Sequence, residues 1–243
     1  MSPEIRAQLA PTGVLRAGIN MSNFLLVNGC EADGAPRGVS PGMAAAIAAR
    51  LGVPVRLVPY PRPGALADAV DADEWDIGLI GAEPQRAEKI AFTAAYAEIE
   101  ATYLVPAASP ITELAQVDRP GIRIAVTART AYGLWLERNI HQATLIQTDS
   151  LDAALEVFEA EKLEALAGLR PRLLMDVLNL PGSRILEGQF SAVQQAIGTA
   201  LGNTRAAAFL HEFVEEAKAS GLVARLIAEH GVTGLAVAPA AGA

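Results

Sequence analysis

The chain has 243 residues, of which 51% are hydrophobic and 19% charged, with a formal charge of −8. That length can bury one large core or two small ones, and the composition excludes a disordered chain. No stripe of lysine and arginine offsets the acidic balance, which excludes nucleic acid as a partner.

The start, MSPEIRAQLAPTG, places Glu4 and Arg6 where a secretory signal would need an apolar core. Either a signal was removed when this chain was made or the natural protein has none; the cytoplasm therefore stays open as a location. No apolar run approaches the ~18 residues of a membrane span, so direct membrane insertion is not expected. Cys30 is the one cysteine and reads as a free structural thiol. His141, His211 and His230 show no metal-ligand spacing, so neither a metal nor a cofactor is expected.

VLRAGI (14–19) reads as a strand. GVSPGMAAAIAARLG (38–52) has Pro41 early and Gly52 late, the start and stop signals of a helix. PVRLVPY (54–60) alternates like a strand, and PGALADAVDADEW (63–75) reads as a helix. DIGLIG (76–81) is an apolar run closing on glycine, the pattern of a strand covered on both faces. Pro84 then suits a first helical turn, with Glu83 or Ala82 as cap, so PQRAEKI is expected to be helical. FTAAYAEIEATYLVPAASP (92–110) is extended and looks like a crossing strand.

A second cycle starts at Gly121. GIRIAV (121–126) is a strand, TAYGLWLERNI (130–140) an amphipathic helix, and TLIQT (144–148) a strand. SLDAALEVFEAEK (150–162) is a helix capped by Ser150, LEALAGL (163–169) a strand, and RPRLLMDVL (170–178) a helix. SRILEG and SAVQQAIGT (183–199) are further strands, the latter a plausible return crossing. NTRAAAFLHEFVEEAKASG (203–221) and LVARLIAEHG (222–231) are helices, and the tail VTGLAVAPAAGA is expected to be loosely ordered. Repeated strand–helix alternation implies right-handed crossovers in parallel sheets. The expected fold is α/β in two lobes, one of 1–100 plus 193–243 and one of 101–192. Two crossing strands would act as the hinge around a cleft.

GVLRAGIN, GVSPGMAAAIAARLGV, WDIGLIGAEPQRAEKIAFTAAY, GIRIAV and FVEEAKASGLVARLIAEHG together resemble the family 3 solute-binding proteins, receptors of polar amino-acid ABC transporters. The resemblance runs from Val14 to Gly231; its most specific piece is the strand–turn–helix arginine followed by F-[ST]-x-x-Y. It implies a periplasmic-binding-protein type II (Venus-flytrap) fold, a periplasmic location, and a membrane permease as partner. It also implies reversible binding of a small carboxylate-bearing solute, an amino acid or related organic acid, in the interlobe cleft. By that resemblance Arg86 forms a two-pronged salt bridge with the ligand carboxylate, which the planar guanidinium fork suits. Arg86 taken alone reads as a solvated arginine paired with Glu83 or Glu88; within the resemblance it is an exposed cleft residue.

Matching positions extend the expected ligand-binding set to Asn20, Asn23 and Phe24 in the first loop, and to Gly81 and Glu83 in the turn before Arg86. In the second lobe they add Arg129, Thr130 and Ala131, where a helix start can present N–H groups to an anion. Arg170 follows the strand LEALAGL, and Gln195 lies on the return strand. Thr130 also reads as an ordinary N-cap. The chain departs from the family pattern in three places. GAEPQR is two residues shorter and lacks the usual hydroxyls; Leu169 stands where an aspartate commonly meets the ligand ammonium; and the first loop is neutral. A leucine cannot compensate a buried ammonium, so these changes bear on ligand identity.

Enzyme signatures are weak: there is no G-x-S-x-G, no P-loop and no G-x-G-x-x-G after a strand, and the carboxylate pair Glu98/Glu100 reads as a solvated strand edge. A binding protein without turnover is expected. A non-transport homologue, a ligand sensor or a dehydratase-like enzyme on the same fold, is the alternative.

Overall fold

The computed structural model describes residues 2–242. Helix α1 (Pro3–Leu9), whose N-cap Ser2 accepts from the Glu4 N–H, precedes strand β1 (Leu15–Asn20). Strands β2 (Gly29–Cys30) and β3 (Pro36–Arg37) form an antiparallel pair that leads into α2 (Val39–Leu51). Gly52 ends α2 at φ 67°, a left-handed turn that glycine makes without a Cβ clash. β4 (Val55–Tyr60), α3 (Pro63–Asp68), β5 (Ile77–Gly81), α4 (Pro84–Ala87), β6 (Ile90–Phe92) and β7 (Ala97–Val105) follow. The next cycle is β8 (Arg123–Thr127), α5 (Ala131–Asn139), β9 (Thr144–Thr148), α6 (Leu151–Ala160), β10 (Ala165–Leu169) and α7 (Arg170–Asp176). β11 (Arg184–Ile185), β12 (Ser191–Ala200), α8 (Thr204–Ala219), α9 (Leu222–Glu229) and β13 (Ala236–Val237) complete the order.

The chain packs as two units. One takes the residues up to Glu98 and those from Gln194 onward; the other is Ile99–Val193. In the first, β4, β1 and β5 are parallel, and β12 lies antiparallel to β5. All five residues of β5 are buried, as a strand covered on both faces requires. Gly18 and Gly78 leave room for Trp75 and Leu66: a Cβ would stand 3.2 Å from the Trp75 ring at Gly18 and 2.9 Å from Leu66 at Gly78. α2 packs on β1 and α9, and α1 on α8.

One clamp spans this unit at the opposite edge from the strands' carboxyl ends. Asp76, next to β5, accepts from the Arg16 backbone N–H (2.7 Å), Nε (3.2 Å) and Nη2 (2.7 Å). The side chains are 2% and 14% exposed, respectively.

In the second unit β9, β8 and β10 are parallel, and β7 runs antiparallel to β10. Its core gathers Leu104, Phe158, Leu163, Leu166 and Leu173. Ser150 caps α6 by accepting from the Ala153 N–H at 3.1 Å. A second clamp occurs here: Glu164, next to β10, accepts from Arg123 N (2.9 Å), Nε (3.0 Å) and Nη2 (2.9 Å).

Three local expectations need correction, and one element was not anticipated. α3 stops at Asp68, and a turn with Asp73 at φ 51° carries the chain to Trp75. α4 is a single turn, because Ile90 already pairs with Ala200 in the sheet. The opening segment, read only against a leader, is helical from Pro3 to Leu9. The tail is tied down: Ala236 and Val237 pair with Glu98 and Ala97, and Lys218 Nζ donates to the Pro239 carbonyl at 2.7 Å.

Candidate functional site

In each unit the candidates collect where parallel strands end, the edge at which open α/β sheets hold ligands. In the first unit β1 ends at Asn20 and β5 at Gly81 on neighbouring strands. Asn20 Oδ1 accepts from the Ser22 N–H (3.2 Å) and hydroxyl (2.8 Å), folding the loop back on itself. Asn23 is buried, its Oδ1 accepting from Leu25 N at 3.2 Å while its carbonyl accepts from Leu26 and Val27. Phe24 beside it is half-buried.

Gly81 sits opposite Gln195 in the β5–β12 ladder, so the return strand brings Gln195 next to the β5 turn. Gln195 is buried, and its carbonyl accepts from Tyr96 N at 2.8 Å. Glu83 is the α4 N-cap and makes no side-chain cap bond; its carbonyl accepts from the Arg86 and Ala87 N–H groups. Arg86 differs from expectation. It is 6% exposed, not an open surface residue, and its Nη1 donates to the Gly81 carbonyl at 2.6 Å. Its place in the first turn of α4, right after β5, lets the side chain reach back to the end of its own strand. Gly81, Glu83, Arg86 and Gln195 therefore stand together, with Asn20 one strand away.

In the second unit Thr127 ends β8 and Arg129 takes a left-handed φ of 58°. That bend delivers Thr130 as the N-cap of α5. Its hydroxyl donates to the Thr127 carbonyl (2.8 Å) and accepts from the Gly133 N–H (3.1 Å). A Cβ on Gly133 would meet the Thr127 carbonyl at 2.7 Å, so the close cap needs glycine there. Ala131 is buried in the first turn, whereas Arg129 is exposed. Arg170 is engaged elsewhere: Nε donates to Glu100 Oε2 at 2.5 Å and Nη2 to the Gly188 carbonyl.

Sequence reading passed over a polar cluster in α7. Arg172 bonds Asp176 (2.8 Å) and Asp152 (2.7 Å), and the i, i+4 spacing in RPRLLMD was the available signal. Burial pushes the Asp176 carboxyl up, with Arg172 opposing that rise. Among the described residues, no His, Cys, Asp and Glu group is placed to hold a metal ion, and no helix is long and apolar enough to cross a membrane.

Residues 18–233 match the model of the bacterial extracellular solute-binding proteins, family 3. The chain belongs to that family. No curated protein matches it. Among solved structures, a mutant of ArgBP from T. maritima is 19% identical with a TM-score of 0.73, covering 95% of this chain and 100% of that one. An amino acid ABC transporter substrate-binding protein from Streptococcus pneumoniae, bound to L-arginine, is 17% identical with a TM-score of 0.73, covering 96% and 100%. An ancestral amino-acid-binding protein, a precursor of cyclohexadienyl dehydratase, is 18% identical with a TM-score of 0.72, covering 94% and 99%. At these identities the likeness establishes the fold: this family 3 chain is α/β, in the class of the two-lobed periplasmic binding proteins.

Proposed function

We propose that the chain reversibly binds a small carboxylate-bearing solute, an amino acid or related organic acid, as the substrate-binding component of an ABC importer. On this reading it works outside the cytoplasm with a membrane permease as partner. The observation that carries the proposal is Arg86, buried at the carboxyl end of β5 and oriented by the Gly81 carbonyl. A guanidinium fixed in this way meets a carboxylate with little further ordering to lose. The family's description as extracellular solute-binding proteins and the amino-acid-binding proteins among its fold neighbours support the same reading.

Calorimetric titration with amino acids and simple carboxylates tests it. A ligand at 100 times its Kd should stabilise the fold by about 2.7 kcal/mol, read as a rise in melting temperature. Arg86→Ala should weaken binding by roughly 2–5 kcal/mol, and Arg86→Lys should recover only part, since an ammonium lacks the planar fork. Because Arg86 also bonds Gly81, Arg86→Ala should lower stability by about 1.5–3 kcal/mol, so affinity is compared on the folded fraction. Unchanged affinity in folded Arg86→Ala would remove the clamp from the proposal. Release of a chemically altered ligand would instead favour the dehydratase-like reading, which the cyclohexadienyl dehydratase precursor among the neighbours makes specific.

A further inference from the structure

Where β8 and β10 end inside the second unit there is a small pocket, walled by Thr127, Tyr132, Gly168, Arg172, Leu173 and Asp176 among others. It has room for about one water molecule. Thr127 and Tyr132 are 5% and 3% exposed, and neither Thr127 Oγ1 nor Tyr132 Oη has a hydrogen-bond partner among the described residues. Burial raises the phenol's pKa, and hydrogen-bonding interactions with the Thr127 and Thr130 hydroxyls oppose that rise, although neither contact reaches the distance and angle of a formed bond. The Thr130 hydroxyl is already committed to the Thr127 carbonyl and the Gly133 N–H.

Two hydroxyls deprived of water and left unpaired bear their full desolvation cost, so a partner of matching polarity is favoured there. The wall also carries the Arg172–Asp176 pair, joined at 2.8 Å. A guanidinium and a carboxylate together leave the pocket with no excess of either sign, which disfavours an ion. An apolar occupant would leave both hydroxyls unpaired. A neutral molecule able to donate and accept meets every condition, and the volume limits it to one oxygen.

We propose that this pocket binds a single ordered water, bridging Tyr132 Oη and Thr127 Oγ1 beside the Arg172–Asp176 pair. The water accepts one hydroxyl proton and donates to the other hydroxyl oxygen. Its second proton is left for an acceptor such as Asp176. The bridge ties the end of β8 to the first turn of α5, and the proposal holds whether or not the solute-binding reading does.

A high-resolution crystal structure of the full chain tests it, together with water-to-protein nuclear Overhauser contacts in solution. The expected result is one water peak within hydrogen-bond distance of both hydroxyls, and a water contact to Tyr132 that is lost in a Tyr132→Phe, Thr127→Val double variant. Tyr132→Phe alone keeps the side chain's shape; should the double variant not fold, this single variant should lose the contact to residue 132 while Thr127 keeps its own. A dry pocket with the two hydroxyls bonded directly would overturn the proposal. So would a peak that bromide replaces on soaking, which would mark an anion in place of water.

Discussion

The two units use the same clamp under different exposure. Arg16 and Arg123 each lie in the first strand of a parallel trio, and Asp76 and Glu164 each precede the strand that pairs beside it. In both, one carboxylate receives the arginine's backbone N–H and its guanidinium. The amino-terminal edge of both parallel trios is thus closed in one way. Burial separates them: Asp76 is 2% exposed, whereas Glu164 and Arg123 are 32% and 39% exposed. An ion pair gains most from its partner where water cannot replace it. Equal geometry should therefore not mean equal worth.

The largest expected effect is at Asp76. Asp76→Ala removes the buried partner of the Arg16 guanidinium, which keeps Asp73, and leaves a backbone N–H unpaired; it should cost about 1.5–3 kcal/mol by urea unfolding. Glu164→Ala should give a clearly smaller loss, because water can solvate what it exposes, and added salt should narrow it further. If the two variants were equally destabilised, burial would not be what distinguishes the clamps. The smallest effect is a pH dependence. The Arg123 hydrogen bond holds the Glu164 carboxyl below the usual glutamate range, against a weaker opposing push from burial. A depressed carboxyl contributes stability that is complete above its unfolded value of about 4.3 and fades as pH falls through the folded value. The stability gap between the wild type and Glu164→Gln should accordingly close on acidification below about pH 4. A gap that stays constant would show that Arg123 does not act through the charge.

Neither clamp was legible in the sequence, because its partners stand 60 and 41 residues apart and no local period joins them. What was legible is local. Pro41 and Gly52 bracket α2, Ser150 caps α6, and Thr130 caps α5, since each signal lies within a turn of the structure it marks. TLIQT forms β9 over the residues expected. PQRAEKI failed as a full helix because its last residue is claimed by β12, a partner more than a hundred positions away. Arg86's type and place in the first turn after β5 mark it as a candidate, but its burial and its bond to the Gly81 carbonyl show only in the folded chain. Thr127 and Tyr132 look like ordinary strand and helix residues until the fold encloses them.

The first unit is assembled from two stretches of chain, and β12 is the strand that completes it against β5. On a ribosome the consequence is one of timing. Residues 99–193 are contiguous, so the second unit has all its strands from β8 to β10 before β12 has emerged in full. The first unit must wait, with the all-apolar β5 unpaired on one side, until residues through Gly198 leave the exit tunnel. Synthesis begins with the first unit and completes it last, which makes the nascent β5 the segment most in need of a chaperone's cover.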